Sequence, residues 1–149
     1  MNQEWVQVTL KGILPTPGGS GVFLESGDKA ITIFIDPMVS HALTLAMQGE
    51  SSPRPLTHEL ITSVLEGLGV RLDRVVIHEV KDDTFHARLH LIQENELGKN
   101  LLEVDARPSD GMVLAVQTGA PVLVARTVWD AAENMKWAMD QLRSDQEES

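Results

Sequence analysis

The chain contains no cysteine, which excludes disulfide frameworks, thiolate zinc sites and a cysteine nucleophile in one step. It has no apolar run approaching the ~20 residues that a membrane-spanning helix requires. Its opening residues, Met1-Asn2-Gln3-Glu4-Trp5, carry neither the basic nor the apolar region of a secretory signal. The expectation is a soluble, cytoplasmic protein. Positive charge is scarce as well: 12 Lys and Arg stand against 22 Asp and Glu, a formal net charge of -10. Proteins that hold nucleic acid through phosphate contacts ordinarily show a basic face. Any polyanion contact here must therefore be local, metal-assisted or short. Part of the acid falls in 144–149, which reads as a solvated tail.

What is present fits one folded domain: 149 residues, 42% hydrophobic and 23% charged, enough for a real core. Val6, Val8 and Leu10 alternate with polar neighbours, the period of a half-buried strand. Pro15 to Gly21 breaks that pattern with prolines and glycines, and Gly18 to Gly21 reads as a flexible turn. Val22–Glu25 and Ala30–Ile35 form a hairpin signal around Gly27-Asp28, with Phe34 expected to be buried near the strand end. Asp36-Pro37 opens a helix near 37–48. A second helix near 57–68 starts with Thr57 as the expected cap. It carries an apolar stripe of Leu60, Ile61, Val64, Leu65 and Leu68, with Gly69 as its stop. Val70–Val80 and Thr84–Ile92 are strands, 93–100 a polar loop, and Leu101–Asp105 a further strand. A helix at 108–117, a short strand at Val122–Ala125 and a last helix at 127–143, opened by Thr127-Val128-Trp129-Asp130, complete the chain. The fold class is α+β: a single domain with a mixed β-sheet, packed helices and a C-terminal helix. In that last helix Val128, Ala132, Met135, Met139 and Leu142 form a narrow apolar seam, suited to the domain or to a second copy.

The strongest candidate for chemistry is Asp105-Ala106-Arg107-Pro108-Ser109-Asp110, at a strand-to-helix junction. A helix N-terminus offers free N–H groups to a phosphate, Arg107 adds a bidentate fork, and Ser109 stands beside it. Asp105 and Asp110 are oxygen ligands for a hard divalent cation, Mg²⁺ or Mn²⁺, if their carboxylates converge. The bland alternative is that Ser109 and Asp110 stabilise the first helical turn while Arg107 pairs with an Asp. A second candidate is Arg54, for substrate binding, with His58 and Glu59 for proton transfer; its bland alternative is an exposed helix start. His86 and His90 lie ~13 Å apart along a strand and cannot chelate one ion unaided. The tryptophans Trp5, Trp129 and Trp137 read as packing anchors.

Pro53-Arg54-Pro55-Leu56-Thr57-His58-Glu59-Leu60, Val75–His78 through Lys81–Phe85, Asp105–Asp110 and Thr118–Val122 together resemble the bifunctional nuclease domain family. The resemblance runs from Val6 to Ala125 with the motifs in the family's order. It implies an α+β fold with a mixed sheet, homo-oligomerisation with a dimer favoured, and nuclease activity on DNA and RNA. Residues 1–126 then form the nuclease-like domain, 127–143 a helix packed on it or on a dimer partner, and 144–149 the tail. Two positions depart from the family pattern: Asp36 stands where a glycine is usual, and Val39-Ser40 where Glu-Ala is usual. Two functions follow as expectations. One is metal-assisted phosphodiester hydrolysis of single-stranded DNA or RNA, centred on Asp105, Arg107, Ser109 and Asp110 with Arg54, His58 and Glu59. The other is a non-catalytic, homo-oligomeric module that binds a phosphorylated ligand or a protein partner.

Overall fold

A computed structural model describes residues 4–148. Seven strands form one mixed sheet: β1 (Trp5–Thr16), β2 (Gly19–Ser26), β3 (Lys29–Ile35), β4 (Val70–Lys81), β5 (Thr84–Asn95), β6 (Gly98–Ala106) and β7 (Val122–Ala125). Their spatial order is β3-β2-β1-β7-β4-β5-β6. Only β4 and β7 run parallel; the other neighbours are antiparallel. Helices α1 (Pro37–Met47), α2 (Thr57–Gly67) and α3 (Pro108–Thr118) follow the expected boundaries closely. This is the α+β domain with a mixed sheet that the patterns indicate.

The period of two along β2 divides the interior. Val22 and Leu24 enter the main core, while Phe23 between them enters a second cluster with Ala30 and Met139. α1, α2 and α3 lie with the main core. The terminal helix α5 (Lys136–Glu148) covers the opposite face of the β1–β3 half, where Met139 is buried. α3 is the most deeply set helix: Met112, Val113, Leu114 and Ala115 are all buried. Gly111 permits this, because a Cβ there would stand 2.7 Å from Val75 Cγ1 on β4.

Several expectations are corrected. The Gly18–Gly21 segment is not a flexible turn: β1 continues through Thr16, β2 begins at Gly19, and only Pro17 and Gly18 turn. β7 pairs with β1 only over Trp5–Val8, so Pro15 lies where β1 has a partner on one side alone, a place where a strand tolerates proline. The polar 93–100 loop is instead a hairpin that lengthens β5 and β6, pairing Asn95 with Gly98. Its polar residues are simply the exposed end of a long two-stranded ribbon. The β4–β5 turn is made by Asp82 and Asp83, both at positive φ, a geometry that Asp tolerates better than most residues. Phe34 is 73% exposed, because it faces away from the core that takes Ile33 and Ile35. The α2 stripe is also largely exposed. Leu60, Ile61, Val64 and Leu68 face outward, Leu65 packs against the core only in part, and His58 is the buried residue of the helix. Helical period marks a common face but cannot say whether a neighbour covers it. Leu56, not Thr57, is the cap position, and Glu59 accepts from the Leu56 N–H at 3.4 Å.

The single helix expected at 127–143 is two helices, α4 (Arg126–Ala131) and α5, so Thr127 does not open it. Asn134 causes the break by offering the backbone a different partner. Its Oδ1 accepts from the N–H of Ala30 at 3.2 Å and of Lys136 at 3.0 Å. Next to it, Met135 N–H donates to Ala30 O at 2.7 Å. Val128 joins the main core while Met135, Met139 and Leu142 join the second cluster. The apolar seam is thus used within the chain. The expected tail is the exposed end of α5 as far as Glu148; Ser149 lies outside the described residues. Trp129 is buried and Trp5 partly so, whereas Trp137 is exposed rather than an anchor.

Gly111→Ala tests the seating of α3. The substitution raises helix propensity by roughly 1 kcal/mol, yet the added methyl meets Val75. The expected net result is a loss of about 1–3 kcal/mol in urea unfolding. A variant at least as stable as the parent would show that α3 has room to spare.

Candidate active site

The site assembles where three helices begin. Asp36 is the N-cap of α1, its Oδ1 accepting from the Val39 N–H at 3.0 Å, with Pro37 set in the first turn. Arg107 is the N-cap position of α3, leaving β6 with extended backbone before Pro108. Its guanidinium reaches both ways: Nη1 donates to Asp36 Oδ2 at 3.1 Å and Nε donates to Asp110 Oδ2 at 3.0 Å. The second oxygen of Asp110 lies 2.8 Å from His58 Nε2 in the first turn of α2. An ionised carboxylate can only accept, so Nε2 carries the proton. The chain Asp36–Arg107–Asp110–His58 therefore joins the starts of α1, α3 and α2. It lines a cavity of about 800 Å³ with Val39, His41, Leu56 and Thr57 among its other walls.

The electrostatics follow from these contacts. The Val39 N–H, with Arg107 adding to it, holds the Asp36 carboxyl below its ordinary 3.8 against the opposing effect of burial. Arg107 is pushed above its usual range, first by the hydrogen bond to Asp110. It is 62% exposed, so its guanidinium also meets solvent. Two carboxylates outweigh that one cation, so the cavity is not a preformed phosphate trap. The helix starts supply its remaining positive character.

The expected residues fall into two groups. His58, Arg107 and Asp110 come together in the cavity; His58 is 7% exposed rather than on the surface. Ser109 is buried and lines an adjoining cleft with Arg107 and Pro108. Arg54 is exposed before α2 and does not line the cavity. Glu59 bends back to Leu56 and faces a different cleft, shared with Thr62 and Glu66. Asp105 is opposite Arg88 across the β5–β6 ladder, where residues directly paired share a face. That face is the reverse of the one on which Leu89 meets α3. Asp105 and Asp110 thus stand on opposite sides of the sheet. His90 is on the Asp105 side, 3.8 Å from Glu103.

This arrangement does not fit the Mg²⁺ or Mn²⁺ site expected from Asp105 and Asp110. The two carboxylates do not converge, and both oxygens of Asp110 are engaged, one by His58 and one by Arg107. Among the described residues no three His, Asp or Glu side chains gather closely enough to hold an ion. Two residues escaped the sequence reading of the site. His41 lines the cavity but gave no motif signal, having no ligand-spaced neighbour. Asp36 was read as the opening of α1 and as a departure from a glycine, not as part of the cluster; its bond to Arg107 spans 71 positions and is invisible to local pattern. Val39 is buried, packs into the core and offers no carboxylate.

An α+β domain with a histidine–carboxylate pair lining a cavity is the class that fold and site define. The chain belongs to the bifunctional nuclease domain family, whose model matches residues 22–136. It is also similar to two uncharacterized proteins of Mycobacterium tuberculosis, MT1877 of strain CDC 1551 / Oshkosh and Rv1829 of strain H37Rv. To each it is 36% identical over 103 residues, 69% of this chain and 58% of the relative. The chain thus aligns with somewhat more than half the length of these curated relatives.

The Asp36 contacts give a pH test with a definite sign. A carboxyl whose folded value lies below its unfolded one contributes stability above the unfolded value and loses it as pH falls through the folded one. In an NMR titration Asp36 is expected to titrate below 3.8. Asp36→Ala should cost about 1 kcal/mol at neutral pH, a deficit that shrinks in acid. An Asp36 midpoint at or above the ordinary value would remove Val39 and Arg107 as its partners.

Proposed function

We propose that this protein hydrolyses phosphodiester bonds of single-stranded DNA or RNA, with His58 and Asp110 as the proton-transfer pair. The observation that carries this reading is the 2.8 Å contact between His58 Nε2 and Asp110 at the wall of the cavity. A carboxylate bonded to one imidazole nitrogen fixes the tautomer and ring orientation, and stabilises the imidazolium that forms when the ring accepts a proton. His58 would then take a proton from the attacking water and return it to the leaving oxygen. Arg107, anchored by Asp36 and Asp110, would turn its exposed N–H groups to the phosphate, whose charge the helix starts also favour. Single strands suit the site, because an acidic chain offers no broad basic face for a duplex. Mg²⁺ or Mn²⁺ in this reading accompanies the polyanion and offsets the clash with the protein's net charge; no step is assigned to it.

A second reading has its own support. Both oxygens of Asp110 and both of Asp36 are engaged within the chain, a closed latch that would serve a non-catalytic module for a phosphorylated ligand equally well. The two readings separate in one experiment. Cleavage of end-labelled single-stranded DNA and RNA is measured for the parent, His58→Ala and Asp110→Asn, each with Mg²⁺, with Mn²⁺ and with chelator. Circular dichroism checks that the variants are folded. General acid–base chemistry predicts a rate lower by about 10²–10⁴-fold in His58→Ala. Cleavage unchanged in both folded variants would overturn the assignment of His58 and Asp110, and a parent that cleaves neither substrate under any of the three conditions would leave the binding reading.

A further inference from the structure

The cavity that holds the cluster has a neighbour. A cleft of about 320 Å³ adjoins it and shares Asp36 and Arg107 with it. The end of β3 gives the cleft one wall, the β4–β5 turn with Phe85 another, and the start of α3 a third. Ser109 sets it apart. Three polar side chains are buried among the described residues. Ser20 bonds Ser40 at 2.6 Å and His58 bonds Asp110. The Ser109 hydroxyl has no partner in the chain, although the residue is only 7% exposed. The polar atoms sealed from solvent without a partner are Thr32 Oγ1 and His78 Nε2. Ser109 Oγ is not one of them, so the surface left to it opens on the cleft that it lines. A hydroxyl enclosed without a bond is costly, and it calls for a partner from outside the chain.

Phe34 supplies a second, independent feature. Its ring lies over Gly21, where a Cβ would stand 3.4 Å from Phe34 Cε1, and is otherwise open to solvent. The backbone beneath it is open as well. β3 is an edge of the sheet, and Ala30 turns both its N–H and its C=O outward, to Asn134 and Met135. In an antiparallel ladder such outward residues recur at every second position. The register with β2 is unbroken along β3. Thr32 and Phe34 therefore turn their N–H and C=O outward too, and Phe34 does so at the wall of the cleft.

An open aromatic ring, a backbone N–H and C=O side by side, a lone hydroxyl and a guanidinium in the shared wall together describe one kind of ligand. It is planar, carries donors and acceptors on its rim, and is attached to a phosphate. We infer that the cleft holds the base of the nucleotide whose phosphate meets Arg107. Phe34 stacks on that base, and the Ser109 hydroxyl and the Phe34 backbone bond its edge. The subsite rests on the phosphodiester reading for the phosphate at Arg107 and adds a place for the base. Stacking serves every base, and every base shows a donor beside an acceptor on its pairing edge. The cleft therefore separates base-bearing from bare phosphates rather than one sequence from another. It also gives an acidic chain a source of affinity that needs no broad basic face.

The test uses two probes that differ by the base alone, adenosine 5′-monophosphate and ribose 5-phosphate. Neither carries a diester bond, so binding is read without cleavage. Dissociation constants come from NMR titration of the full chain, and a short single-stranded RNA is titrated beside the two probes. The parent is expected to bind the nucleotide more tightly than the sugar phosphate, with the Phe34 and Ser109 amide signals moving. Phe34→Leu keeps an apolar side chain but no ring; it should weaken the nucleotide about 5–100-fold and leave the sugar phosphate unchanged. Phe34→Tyr should restore binding. Trp137→Ala removes an exposed ring that does not line the cleft and should change nothing. Ser109→Ala should weaken the nucleotide about 2–10-fold without lowering the urea midpoint, since Ser109 bonds nothing within the chain. A parent that binds both probes alike would overturn the base subsite. So would Phe34→Leu or Ser109→Ala binding the nucleotide as the parent does, or Phe34→Tyr failing as Phe34→Leu does. A parent that takes the mononucleotide through Phe34 but does not bind the RNA keeps the base subsite and sinks the nuclease reading. One that cleaves RNA while binding both probes alike does the reverse.

Discussion

The close approach of α3 to the sheet is the contact on which the other helices depend. Gly111 leaves no side chain between the helix and Val75, so the helix sinks until Met112, Val113 and Ala115 are fully enclosed. α1 and α2 then rest chiefly against α3, with lesser contacts to β2 and β4. The start of α3 is thereby fixed relative to the starts of the other two. That is why a guanidinium at Arg107 can bridge carboxylates from α1 and α3, and why Asp110 meets a histidine from α2. Packing density does the positioning; the two ion pairs of the exposed Arg107 are worth little alone.

Fixing three helix starts around one cavity has a chemical consequence. Polar groups that would otherwise be unsatisfied at the ends of helices, or costly when buried, are given to one another. His58 is enclosed because Asp110 accepts the hydrogen bond of its Nε2–H, and Asp110 tolerates its position because Arg107 balances its charge. The same closure explains why a resident divalent ion does not suit the cluster. An ion would have to displace both His58 and Arg107 from the one carboxylate that all three would share.

The reverse side of the β4–β6 half is built differently. It carries His86, Arg88, His90, Glu103 and Asp105 in cross-strand pairs, and Arg88 and His90 each reach Glu103. This is a mixed-charge surface beside an open strand edge, whereas the helix side carries the enclosed cluster. A motif of six consecutive residues, Asp105 to Asp110, is divided between these two environments by the turn from strand to helix.

That division marks the limit of what the sequence by itself determined. Alternation marked β1 and β5, a short apolar run marked β7, Asp36-Pro37 marked the start of α1, and the α3 boundaries and the residues His58, Arg107 and Asp110 were legible. Each is a local matter of backbone preference, capping or period, settled within one or two turns of chain. The tertiary structure alone decided the rest. It broke the last helix at Asn134, because Ala30, 104 positions away, offered competing hydrogen bonds. It left the α2 stripe exposed, since a helical period names a face without supplying its neighbour. It also carried Asp105 away from Asp110, because strand register sets the face on which each side chain emerges, and register is a property of paired strands that no single segment contains.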